Sequence, residues 1–109
     1  MAAVEPGSAE QASFYADQAR ASTWVVTVIG EVDLAHKDRF QAVVDRALRA
    51  SPAKLIFDVA GVRFMDSSGL NVLLSALRSD VAVEVRAASP AMRRLIEITG
   101  LTGVLTLSD

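Results

Sequence analysis

Apolar and polar positions alternate between two periods along this chain, and the switches between them mark the elements. Thr23 to Ile29 (TWVVTVI) is β-branched and apolar on both alternating faces, the pattern of a strand buried on both sides. Upstream, Ser13 to Gln18 is a shorter strand candidate, joined to it by a hairpin turn over Ala19 to Ser22. Gly30-Glu31-Val32-Asp33 then breaks the strand. Asp33 is a good N-cap for a helix whose Phe40, Val43, Val44, Ala47 and Leu48 fall at i, i+3, i+4, i+7 and i+8.

Ser51-Pro52 ends that helix, and Leu55-Ile56-Phe57, closed by Asp58, reads as a short interior parallel strand. A loop from Ala60 to Met65 is expected next. It leads to Asp66 as an N-cap, with Ser67 and Ser68 in the first turn and Leu70, Leu73, Leu74 and Leu77 on one helical face. Ala82 to Ala87 alternates like a strand with one partly exposed face. Ser89-Pro90 opens a third helix, with Met92, Leu95, Ile96 and Thr99 as its buried stripe and Gly100 as its stop. Leu105 to Leu107 adds a last short strand.

The order strand, strand, helix, strand, helix, strand, helix, strand describes an α/β sandwich with helices packed on a mostly parallel sheet. Residues 1–12 carry neither period and read as a flexible N-terminal tail, which leaves 13–109 as the folded domain. A length of 109 residues suits one domain. The hydrophobic share of 51% supplies its core.

Charge narrows the function classes. Eleven basic and thirteen acidic residues give a net charge of −2, which offers nothing to nucleic acid or to an anionic membrane. With no cysteine, disulfides, thiolate metal sites and a thiol nucleophile are all excluded. The N-terminus has neither a basic n-region nor an apolar h-region, and the densest apolar stretch, Trp24 to Ile29, is far shorter than a membrane span, so a cytoplasmic location is expected.

Catalytic chemistry finds little support. The single histidine, His36, reads as a solvated residue in the first turn of the first helix, outside any G-x-S-x-G elbow. There is no P-loop, no G-x-G-x-x-G and no metal-ligand spacing, so no enzyme, cofactor or metal is expected. Asp33, Asp58 and Asp66 lie at element edges, where capping and turn formation are their ordinary work. The informative stretch is Phe64-Met65-Asp66-Ser67-Ser68-Gly69-Leu70, which sets two hydroxyls at the positive end of a helix beyond a parallel strand. A phosphate on either would meet free backbone N–H groups there. Gly69 serves either the approach of another surface or packing inside the domain.

That stretch, with Gly30-Glu31-Val32-Asp33 upstream and Ser89-Pro90 through Thr99-Gly100-Leu101 downstream, closely resembles the STAS domain of bacterial anti-sigma factor antagonists. The likeness runs from about Ser13 to the end. It implies a small α/β protein that binds an anti-sigma factor and frees the sigma factor, as in stress-response regulation of transcription. The anti-sigma factor of such systems is often a serine kinase, and a serine phosphatase reverses its action. By position, the resemblance makes Ser67 the phosphoacceptor and places Gly30, Glu31, Asp33, Asp66, Ser68 and Gly69 at the partner surface. An alternative role in the same family is the accessory subunit of an ABC-type lipid transporter.

Three departures from the family pattern stand out. Ala60 replaces the usual serine or threonine, the connection Arg78-Ser79-Asp80-Val81 is short, and the chain stops at Asp109 where many relatives continue into a terminal helix.

Overall fold

The computed structural model of the protein describes residues 12–109. The expected tail thus lies outside the described residues, except for Ala12, which already belongs to the first strand. Five strands and three helices follow in the order β1 (Ala12–Arg20), β2 (Thr23–Val32), α1 (Lys37–Arg49), β3 (Lys54–Met65), α2 (Ser67–Ala76), β4 (Ala82–Arg86), α3 (Pro90–Ile98) and β5 (Thr106–Ser108). A 3-10 turn, Leu34–His36, joins β2 to α1. The sheet order is β1-β2-β3-β4-β5; β1 runs antiparallel to β2, and every other pair is parallel.

A sheet whose parallel strands follow chain order, connected by right-handed crossovers, receives all its helices on one face. The core obeys this rule. Val26 and Val28 of β2, Leu55, Phe57 and Val59 of β3, and Val83 and Val85 of β4 form one cluster with Phe40, Val44 and Ala47 of α1, Leu73 and Ala76 of α2, and Met92 and Ile96 of α3. Phe40 anchors the layer, stacked on Phe14 at 4.9 Å and edge-on to Phe57 at 6.1 Å.

Among the described residues, no helix lies over the opposite face of the sheet. There Thr23, Val25 and Thr27 of β2 are only half-buried and Ile29 is 39% exposed, so the reading of this strand as buried on both sides is corrected. Ion pairs cover part of this face instead. Lys54 meets Glu84 at 2.6 Å, Arg86 meets Asp58 at 3.5 Å, and the Ser108 hydroxyl donates to Glu84 at 2.6 Å. The Lys54 and Ser108 hydrogen bonds hold the Glu84 carboxyl below its ordinary pKa against the opposing effect of burial.

Two further expectations change. The predicted loop from Ala60 to Met65 is strand, since β3 continues beside β2 to the pair Val32↔Met65. Two register shifts, between Thr27 and Ile29 and between Gly30 and Glu31, bulge the pairing on the way and break its period of two. His36 is 3% exposed, not solvated. It sits one turn before Phe40 on the stripe that α1 turns toward the core, which is what buries it.

Within α2 the buried residues are Gly69, Leu70, Val72, Leu73 and Ala76, while Leu74 and Leu77 are half-buried. The helix packs on the sheet beside α1, whose Gln41 side-chain amide donates to the Ser75 hydroxyl at 3.2 Å. On α3, Met92 and Ile96 are buried as expected and Thr99, its C-cap, is exposed.

Candidate functional site

The site lies where β2 and β3 both outrun β4. The last β3–β4 pair is Asp58↔Arg86, whereas β2 and β3 stay together until Val32↔Met65. The backbone N–H of Asp66 then donates to the Val32 carbonyl at 3.1 Å, which draws Glu31-Val32-Asp33 alongside Asp66-Ser67. The segment from Gly30 to Val32, expected as loop, is thus the end of a strand. Gly30 occupies φ +100°, a conformation costly for a side chain, where β2 runs past the β3 bulge at Arg63.

Asp66 begins α2. Its backbone is extended, and its Oδ1 accepts from the N–H of Ser68 at 2.8 Å and of Gly69 at 3.4 Å. The Leu70 N–H goes to the Asp66 carbonyl at 3.1 Å. These bonds correct the expectation of free N–H groups waiting for a phosphate, because the cap already occupies those of Ser68 and Gly69. Ser67, the first residue of the helix, is exposed, and its hydroxyl makes no hydrogen bond among the described residues. Ser68 is half-buried and takes part through its capped N–H.

Gly69 is explained by packing inside the domain. A Cβ there would stand 2.7 Å from Met65 Cγ and 2.8 Å from Val32 Cγ1. The missing side chain lets the first turn of α2 settle onto the ends of both strands. Gly30 and Gly69 are buried, so they shape the site from beneath.

Carboxylates dominate the rim. Asp33 accepts from the Ala35 N–H at 3.0 Å and closes the 3-10 turn. The same oxygen lies 3.0 Å from His36 Nδ1, although neither imidazole nitrogen makes a well-aligned hydrogen bond. Glu31 faces Arg63 across 3.8 Å, a loose and exposed pair. Among the described residues no three His, Asp or Glu side chains converge as a metal site would need. No helix among them is long and apolar enough to cross a membrane.

An apolar groove of about 270 Å³ opens beside this rim, between the end of β3 and α3. Sequence reasoning missed it, since it depends on β3 continuing past Asp58. The alternation of Val62 and Phe64 with Arg63 was the available signal, masked by the bulges.

Comparison with known proteins agrees with this architecture. The chain belongs to the STAS domain family, whose family model matches residues 16–109. An anti-sigma F factor antagonist of Lysinibacillus sphaericus is 29% identical over 93 residues, spanning 81% of this chain and 80% of the relative. The crystal structure of an anti-sigma factor antagonist from Mycobacterium paratuberculosis superposes with a TM-score of 0.82 at 27% identity, covering 95% of this chain and 88% of that one. The fold is also that of the Bacillus cell fate determinant SpoIIAA in its phosphorylated form, with a TM-score of 0.70 at 22% identity over 89% of this chain and 92% of that chain.

Proposed function

We propose that this protein is an anti-sigma factor antagonist: it binds an anti-sigma factor at the rim formed by Glu31, Asp33, Asp66 and Ser68 and so releases a sigma factor. In this reading the anti-sigma factor is a serine kinase that modifies Ser67, a serine phosphatase removes the group, and all of this takes place in the cytoplasm. The protein works by binding, without turnover of its own.

The observation that carries the reading is Ser67 itself, an exposed hydroxyl without a hydrogen-bond partner among the described residues, at the first position of a helix capped by its neighbour. A kinase can reach such a group without unfolding anything. Phosphorylation adds roughly −1.5 to −2 charge. Because Asp66 occupies the nearby N–H groups, that charge stays at the surface beside a carboxylate, where it opposes a partner both by volume and by field. The names of the relatives support the same partner class.

The test is to retain partners from the source cell on unmodified protein, then incubate the purified protein with the retained kinase and ATP and map the phosphate. Label on Ser67, and none on Ser67→Ala, is expected. Label on Ser68 with Ser67 empty would overturn the assignment, and retention of a transporter ATPase in place of a kinase would favour the adaptor role in lipid transport.

A further inference from the structure

The groove between β3 and α3 is lined by Val62, Phe64 and Met65 on one side and by Met92, Leu95 and Ile98 on the other. Its lips are open to solvent, Phe64 being 53% and Ile98 74% exposed. Apolar surface gathered in a concavity next to a binding rim is a docking feature. The floor of the groove distinguishes among possible occupants. From Val59 to Met65, β3 has a strand on its β2 side only, because β4 turns away after Arg86. Its outer backbone edge therefore faces the groove without a strand partner among the described residues.

A helix or an acyl chain laid in this groove would expel water from that edge and return no hydrogen bonds, since a helix uses its own N–H and C=O groups internally and an acyl chain has none. An extended peptide returns them, and it places alternate side chains into the apolar cleft. Charge selects further. Arg63 is the sole charged residue lining the groove; it is the extra residue of the bulge between Val62 and Phe64, and its side chain is 65% exposed. A carboxylate on the incoming peptide can replace the loose 3.8 Å contact with Glu31.

We propose that an extended segment of the anti-sigma partner adds to the outer edge of β3 as a short strand, with an apolar side chain between Phe64 and Ile98 and an acidic side chain against Arg63. This rests on the antagonist reading above and adds a mode of binding to it. It also links groove and switch. The groove strand runs directly into Asp66-Ser67, so a phosphate on Ser67 stands at the end of an acidic peptide and repels it.

The experiment uses the full-length protein and the kinase retained in the preceding test. Affinity is measured for wild type, Ile98→Asp and Arg63→Glu, with melting temperatures as the folding control and amide hydrogen exchange recorded on the free and bound protein. Ile98→Asp is expected to weaken binding more than about tenfold and Arg63→Glu by on the order of tenfold, with unchanged melting. Amides between Ala60 and Phe64 are expected to slow in the complex. Binding of both variants within about twofold of wild type, or unchanged exchange over that segment, overturns the inference while leaving the antagonist reading intact; Arg63 and the bulge then serve only to blunt a free edge. A concentration-dependent dimer abolished by Ile98→Asp also overturns it, by assigning the groove to a second copy. Failure of wild type to bind the kinase at all sinks the antagonist reading and this inference together.

Discussion

The two halves of β3 differ in their neighbours. From Lys54 to Asp58 the strand is flanked on both sides, paired with β2 and with β4, and its Leu55 and Phe57 are fully buried. From Val59 to Met65 it keeps only β2, bulges, and alternates buried Val62 and Met65 with exposed Arg63 and Phe64. One continuous backbone thus runs from the scaffold into the edge of the candidate site. What changes is the number of neighbours, and with it the share of each side chain left for a partner.

The sharpest way to break this comparison is to truncate one aromatic in each half. Phe57→Ala is expected to cost about 3–5 kcal/mol, because it removes a ring that Phe40 meets edge-on and leaves a cavity in a close-packed layer. Phe64→Ala is expected to change stability by less than about 0.5 kcal/mol, as for an exposed position. Urea melts of the two variants decide it; equal losses would mean that the second half is as structural as the first.

Gly69→Ala tests how tightly the site is seated on the strand ends. The added methyl must displace Met65, which can bend, and Val32, which is β-branched and fully buried. A loss of about 1–3 kcal/mol is expected, as for overpacking elsewhere. No loss in a thermal melt would show that α2 has slack to move outward. Removing the cap sharpens the same point from the other side. Asp66→Ala should cost about 0.5–2 kcal/mol and, unlike Phe57→Ala, should also disturb the presentation of Ser67, read as slower phosphorylation by the kinase.

The smallest expected effect belongs to the open face in the scaffold half. Glu84 has a lowered pKa in the folded protein, so its stabilising contribution is complete above the unfolded-state value and is lost as pH falls through the lower folded value. Glu84→Gln should therefore reduce stability at neutral pH and converge with wild type in acid. A gap that stays constant from pH 7 to pH 3 would contradict this. Since Lys54 is itself 45% exposed, solvent screening keeps the gap small.

The same contrast explains how much was legible in the sequence. Helix starts were plain because Asp66 and Ser89 announce them chemically and the apolar spacing behind them follows one period. The scaffold half of β3 was plain as an apolar run. Its second half read as loop because each bulge shifts the alternation by a residue, so Val62 falls out of phase with Phe57 and only the second bulge brings Met65 back. The bare sheet face was hidden for a different reason. Val25 and Ile29 are apolar like buried residues, and only the strand order, which no local pattern carries, puts α1, α2 and α3 on the other side. His36 was misplaced because its residue type suggested solvent, whereas its spacing of four from Phe40 placed it on the buried stripe. At the candidate site, the residues Asp66, Ser67 and Gly69 were legible from their motif, while the groove was not, since it arises between elements distant in the chain.

In the proposed function, Ser67 acts as a switch at the surface without altering the fold. The direct measurement is a paired one on the same preparation, unmodified and enzymatically phosphorylated at Ser67: affinity for the proposed anti-sigma partner by titration, and melting temperature by calorimetry. Phosphorylation is expected to lower affinity by at least about tenfold while the melting temperature moves by no more than about 2 °C, since the hydroxyl is exposed and the capping bonds of Asp66 remain. Equal affinity of the two forms, or a loss of affinity accompanied by a collapse of the melting temperature, would contradict it.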